Sequence, residues 1–138
     1  MASVAYMFDF GYLLLGAHRC PALLIEISSP FDPTQAVETD AYLDSGASVS
    51  LFDGRFASSV GLDLLSGPEK RYRGTSGAEV IARMHRVRIL HETLGSFELE
   101  VGFSTGEISR NLLGRDFFNC VQIGFRERQH TFYVTPTP

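Results

Sequence analysis

"AYLDSGASVSLF", residues 41–52, is the stretch on which the reading of this chain turns. A single carboxylate, Asp44, follows an apolar run, is followed by Ser45-Gly46-Ala47, and then an apolar run resumes. Asp and Ser bond nearby backbone amides and Gly accepts positive φ, so Asp-Ser-Gly by itself is ordinary turn chemistry. The flanks change its meaning. Strand-like segments on both sides would hold the turn close to a core, where an unpaired carboxylate is costly. A partly buried acid at such a turn is a candidate for chemistry. One carboxylate rarely suffices for acid/base work, so the question is where its partner lies.

Working outward, the punctuation is dense and the apolar runs are short, which predicts an all-β domain. Strands are expected over residues 6–14, 22–28, 37–43 and 49–52. "SSPFDPTQ" (28–35) carries two prolines and reads as a loop. A short helix is expected over residues 53–60, with Asp53 as its N-cap and Gly61 at its end. In "EKRYRGTSGAEVIARMHRVRIL" (69–90) the centre, Gly74-Thr75-Ser76-Gly77, reads as a hairpin tip. Val80, Ala82 and Met84 alternate, then Val87 and Ile89 continue on the other parity. That phase slip at His85/Arg86 predicts either a bulge or a strand that changes its buried face. Phe97, Leu99, Val101 and Phe103 alternate with Glu98 and Glu100, the pattern of a half-buried strand reached through a turn at 93–96. "VQIGF" (121–125) and "TFYV" (131–134) flank the polar "RERQH", another hairpin.

The bulk numbers bound the function. The 138 residues suit one domain, 1–138, without a linker or low-complexity tract. The net charge of -4, with no basic run and no Trp, argues against a nucleic-acid partner. The apolar N-terminal stretch "VAYMFDFGYLLLGA" (4–17) is too short for a membrane span, is interrupted by Asp9 and has no preceding positive charge. It reads as a first strand or two, and no membrane partner and a cytoplasmic, reducing location are expected. Cys20 and Cys120 stand far apart, outside any C-x-x-C pair, and two buried free thiols are expected. His18, His85, His91 and His130 form no H-E-x-x-H or tight pair, so they read as surface histidines and no metal site or cofactor is expected. Ser48 and Ser50 do not make G-x-S-x-G. Gly74-x-x-Gly77 is not followed by Lys-Ser/Thr, so it is no phosphate loop.

An internal echo is more informative. "YLDSGAS" and "NLLGRDF" each place apolar residues before a small turn containing Gly, and each precedes a short helix candidate, 53–60 and 115–119. This is the outline of a duplicated strand–turn–helix unit in which only the first copy carries an acid.

These three elements, "LDSGASVSLF", "RGTSGAE" and "NLLGRDFF", together resemble the retroviral-type aspartic proteases, the retropepsins, in order and spacing over residues 22–134. Similar single-copy domains occur outside viruses, and this composition is closer to those. The resemblance implies an all-β half-barrel with one or two short helices and a flap hairpin, acting on peptide or protein substrates. It also answers the question of the partner: the family's second aspartate comes from a second copy of the chain. The expected enzyme is a homodimeric aspartic endopeptidase in which two Asp44 carboxylates activate a water. Ser45 would lock the two loops together, and Gly46 would let substrate backbone approach beside Ala47. Gly74, Thr75, Ser76 and Gly77 would form the flap tip. Leu112, Leu113, Gly114 and Arg115 would support the loop from below. Ser48 departs from viral members that place an Asp there to pair with the Arg at position 115, so Arg115 is expected to pair with Asp116 or with the other subunit. The prolines of "TPTP" limit a dimer built from interleaved terminal strands to residues before Pro136. The alternative is a catalytically weak or inactive peptide-binding or dimerisation module on the same fold.

Overall fold

The structure is a computed structural model that describes residues 2–73 and 77–137. In chain order the strands and helices are β1 (Phe8–Gly11), β2 (Leu13–Leu15), β3 (His18–Cys20), β4 (Ala22–Ser28), β5 (Ala36–Leu43), β6 (Leu51–Asp53) and α1 (Arg55–Ser59). There follow β7 (Glu69–Arg73), β8 (Glu79–His91), β9 (Gly95–Ser104), β10 (Leu112–Leu113), α2 (Arg115–Phe118), β11 (Val121–Arg126) and β12 (Thr131–Pro136). The largest sheet runs β4-β5-β10-β6-β9-β8-β7, and β4 also pairs with β8. That extra pairing closes six strands into a ring, from which β7 and the first half of β8 project as a hairpin arm. A second sheet, β1-β12-β11, joins the two ends of the chain. The expected all-β architecture with two short helices is what the chain adopts.

The ring closes because alternate strand positions are apolar. Phe52, Phe103, Phe117 and Phe132 are fully buried, together with Ile25, Ile27, Ile89 and Val101. Each such side chain contributes about 1.5–3 kcal/mol by leaving water. Phe97 meets Phe117 edge-on at 5.2 Å, which fixes α2 against β9.

The phase slip at His85/Arg86 resolves without a bulge. The β8–β9 register is unbroken from Ala82 opposite Ser104 to His91 opposite Gly95. Instead the strand changes its buried face between Met84 and Val87. Its first half pairs with β7 in the arm and its second half with β4 in the ring, so a different side is covered in each.

Three expectations are corrected. The run 6–14 is two strands, because its partner changes at Tyr12: β1 pairs with β12, and β2 turns at Gly16 (φ +64) to pair with β3. Tyr12 itself is buried, its N–H donates to the His130 carbonyl, and its hydroxyl donates to Glu127 at 2.9 Å. Burial, and then the Glu127 carboxylate, push its phenol up to about 12. Second, Asp53 is the last residue of β6, and Gly54 occupies the cap position of α1. The Asp53 carboxylate still accepts the Arg55 N–H and pairs with its guanidinium, which holds it below the usual carboxylate range.

Third, His91 is not a surface residue. It is buried, and its Nδ1 accepts the N–H groups of Thr93 and Leu94, so it builds the β8–β9 turn. Burial pushes its pKa down. Above about pH 6.5 the ring is neutral in both folded and unfolded chains. Below that, the unfolded chain takes up the proton first, so stability falls until the lower folded pKa is reached. The denaturation midpoint should therefore drop between about pH 7 and 5.5, by at most about 1.4 kcal/mol per pH unit for one proton. His91→Gln should flatten this slope, and an unchanged slope in that variant would refute the assignment.

Cys20 is buried, Cys120 is half-buried, and neither is in a disulfide. Among the described residues no helix is long and apolar enough to cross a membrane.

Candidate active site

The Asp44 turn leaves the end of β5 and is pinned by β10, which inserts between β5 and β6. β10 runs parallel to β5, with Leu112 opposite Tyr42 and Leu113 opposite Leu43, and antiparallel to β6 through Leu112 and Leu51. The two echoed motifs thus meet side by side. The Asp44 N–H donates to the Leu113 carbonyl at 2.9 Å, and the Arg115 N–H donates to the Ala47 carbonyl at 2.8 Å. Each motif closes the turn of the other.

Within the turn, the Gly46 N–H donates to Asp44 Oδ1 at 2.9 Å, which orients the carboxylate. A Cβ at position 46 would lie 3.1 Å from that same oxygen, so glycine keeps the carboxylate uncovered. Asp44 is half-buried, while Ser45 and Gly46 are exposed. Gly114 passes directly beneath the loop: a Cβ there would sit 2.7 Å from the Ala47 carbonyl oxygen and 2.8 Å from the Val49 carbonyl carbon.

Of the two partners expected for it, Asp116 or the other subunit, Arg115 does not meet Asp116. Its Nη1 donates to the Ser45 carbonyl at 2.9 Å, bracing the turn from outside. Asp116 instead faces the strand after the turn. It accepts the Ser50 N–H at 2.9 Å and the Ser50 hydroxyl at 2.7 Å, and Ser50 Oγ in turn accepts the Gly114 N–H at 3.0 Å. Ser50 is fully buried, so these bonds satisfy groups that would otherwise be stranded away from water. Asn111 adds a second bridge. Its side chain donates to Thr39 Oγ1 and accepts the Asp53 N–H, tying β5 to β6 just ahead of β10. The bracing roles of Ser50, Asn111 and Asp116 escaped the sequence reading. Their only trace is that two of them flank "LLGR", polar residues at the ends of an apolar stretch.

Asp44, Gly46, Ala47 and Leu112 line an open cleft of about 570 Å³. Leu51 continues its floor, Tyr72, Arg73 and Val80 come from the hairpin arm, and Glu107, Ile108 and Arg110 form the far wall. Leu113 lies below in the core. Of the expected flap tip, Gly74, Thr75 and Ser76 lie outside the described residues. Gly77 is in the left-handed region at φ +80, where glycine is favoured. Among the described residues no group of three or more His, Cys, Asp or Glu could hold a metal ion. The chemistry open to this site is carboxylate acid/base work on a ligand lying along the cleft beneath the arm.

Comparison with known proteins agrees with this geometry. The sequence model of the family described as "Aspartyl protease" matches residues 34–117, from the start of β5 to α2. Among solved structures, a retropepsin-like aspartic protease from Rickettsia conorii is similar at a TM-score of 0.62 and 17% identity, over 94% of this chain and 99% of that one. The EIAV protease, solved in complex with the inhibitor HBY-793, is similar at a TM-score of 0.55 and 16% identity, over 78% of this chain and 92% of that one. No curated protein matches the sequence. The family match takes in more than half of the chain, including both the Asp44 turn and the β10–α2 segment that pins it: this chain belongs to the aspartyl protease family and is a peptidase by class.

Proposed function

We propose that the chain acts as a homodimeric aspartic endopeptidase whose catalytic dyad is Asp44 from each of two copies. One observation carries this reading. The Asp44 carboxylate is oriented at the floor of the cleft, yet it sits at an exposed turn and, among the described residues, no hydrogen bond joins it to another carboxylate. A two-fold axis beside Ser45 would cover the turn and set Asp44 against its twin. Two carboxylates that close share one proton and titrate as a unit. The ionised one takes a proton from a bound water, and the water oxygen attacks the peptide carbonyl carbon. The protonated one gives its proton to the carbonyl oxygen. Collapse of the tetrahedral species breaks the C–N bond as the nitrogen is protonated, leaving a new acid and a new amine.

In this reading Ser45 donates across the axis, Leu112, Leu113, Gly114 and Arg115 hold the loop, and the arm of β7 and β8 covers bound peptide. β12 is already paired on both edges, by β1 and β11, so a second copy has to add elsewhere. The outer edge of β11 suits it, since Ile123 is half-buried there and Phe125 is 45% exposed.

The test is concentration. Activity per chain should rise at least about tenfold as the protein passes through its dimer dissociation constant, in step with the dimer fraction seen by sedimentation. Excess Asp44→Asn chain should suppress wild-type activity through mixed dimers. Constant activity per chain in samples shown to be monomeric would rule the dyad out.

A further inference from the structure

We infer that Arg110 makes the cleft selective for a substrate carboxylate close to the scissile bond; this rests on the reading that the cleft takes peptide. Tyr42 stands near the end of β5, two residues before Asp44, and pairs with Leu112, which lines the cleft together with Asp44 and Arg110. The Arg110 guanidinium carbon lies 4.3 Å over the Tyr42 ring. This cation–π contact holds the guanidinium at the cleft wall, and among the described residues no hydrogen bond takes up its N–H donors, which leaves them to meet a ligand. Arg55, Arg71, Arg83 and Arg86 all have carboxylate partners, whereas among the described residues no acid pairs with Arg110. Glu107 borders the same cleft, but it also borders the neighbouring depression that holds Arg55, and its charge acts on Arg55.

Leu51 and Leu112 make the adjacent floor apolar. A purely apolar peptide laid along it would strip water from Arg110 without replacing the lost hydrogen bonds. A carboxylate offers the bidentate, charge-assisted pairing that an arginine fork is shaped for. Arg73, from the hairpin arm, lines the same cleft and adds a second positive charge. The favoured substrate is thus an extended, mainly apolar peptide carrying one carboxylate. That group is either an acidic side chain near the cleavage point or the peptide's own C-terminus.

Short amidated peptides carrying Glu or Gln at each position in turn, cleaved near about pH 6, test this. At one position Glu should exceed Gln about tenfold in kcat/KM. The ratio should fall towards unity in Arg110→Gln, and Arg110→Glu should favour Lys there instead. In the wild type the preference should fade below roughly pH 4, where a substrate Glu takes up its proton while Arg stays charged. A free-acid and amide pair of one sequence shows whether the C-terminal carboxylate is the group bound. The same peptides titrated against Asp44→Asn protein by fluorescence anisotropy read selectivity without turnover. If no peptide is cleaved yet Glu peptides still bind better, the catalytic reading fails and the carboxylate selectivity stands. Equal binding and cleavage of every Glu/Gln and acid/amide pair, a preference that survives Arg110→Gln, or no peptide binding at all overturns the inference.

Discussion

Asp44→Asn should lower kcat by at least about 10³-fold while leaving fold and dimer intact. The size of the effect follows from symmetry. In a homodimer one substitution removes both carboxylates, so the base that activates water and the acid that protonates the carbonyl are lost together. The fold should survive because Asn keeps an oxygen at the Oδ1 position, where it still accepts the Gly46 N–H. The amide cannot take up the proton from water. The check is peptide cleavage by the purified variant, with circular dichroism and sedimentation alongside. Cleavage at the wild-type rate would end the proposed mechanism. Loss of activity together with loss of the dimer would instead make Asp44 an assembly residue.

Gly114→Ala should cost about 3 kcal/mol of stability and most of the activity. The added methyl carbon would lie 2.7–2.9 Å from backbone atoms of Ala47 and Val49, and backbone cannot rotate aside as a side chain can. Something must move, and what lies there is the segment that follows the Asp44 turn. The same shift would lengthen the Gly114 N–H bond to Ser50 Oγ and loosen the Asp116 network around it. A displacement of about 1 Å at a catalytic carboxylate can cost about 10²-fold in rate. Gly106→Ala is the control: a Cβ there meets nothing within 4 Å, so stability should stay within about 0.5 kcal/mol. Urea denaturation of both variants decides the matter, and a Gly114→Ala protein as stable as the control would refute the close packing.

Much of this protein is legible locally. Alternation in β9 and the hairpin β11–β12 follow from residues two apart, and Asp-Ser-Gly-Ala between apolar runs marks a turn with an acid in it. Arg115 and the run 6–14 were misread because their partners are distant in sequence, whereas His91 was misread although its partners, Thr93 and Leu94, are two and three residues away. Arg115 stands next to Asp116, and adjacency suggested a pair. Neighbours on a short helix point in different directions, so Arg115 reaches Ser45, 70 residues away, and Asp116 reaches Ser50, 66 residues away. His91 carries a polar label and sits in an otherwise polar turn, yet two N–H groups of the turn converge on its Nδ1 inside the core. The run 6–14 is apolar apart from Asp9 and Gly11, and nothing within it shows that its partner strand changes at Tyr12.

The sequence by itself determined the class of chain: an all-β peptidase fold, one acid-bearing turn, and a second, acid-free echo of it. Those features depend on side-chain period and turn chemistry, which act over a few residues. The tertiary structure alone decided that the echo lies against the acid-bearing turn, that Gly114 leaves no room beneath it, and that Arg110 rests on Tyr42 at the cleft wall. Those are contacts between segments some 70 residues apart. They arise only when closure of the ring brings β5, β10 and β6 together, and no local preference encodes which distant group will be there to meet them.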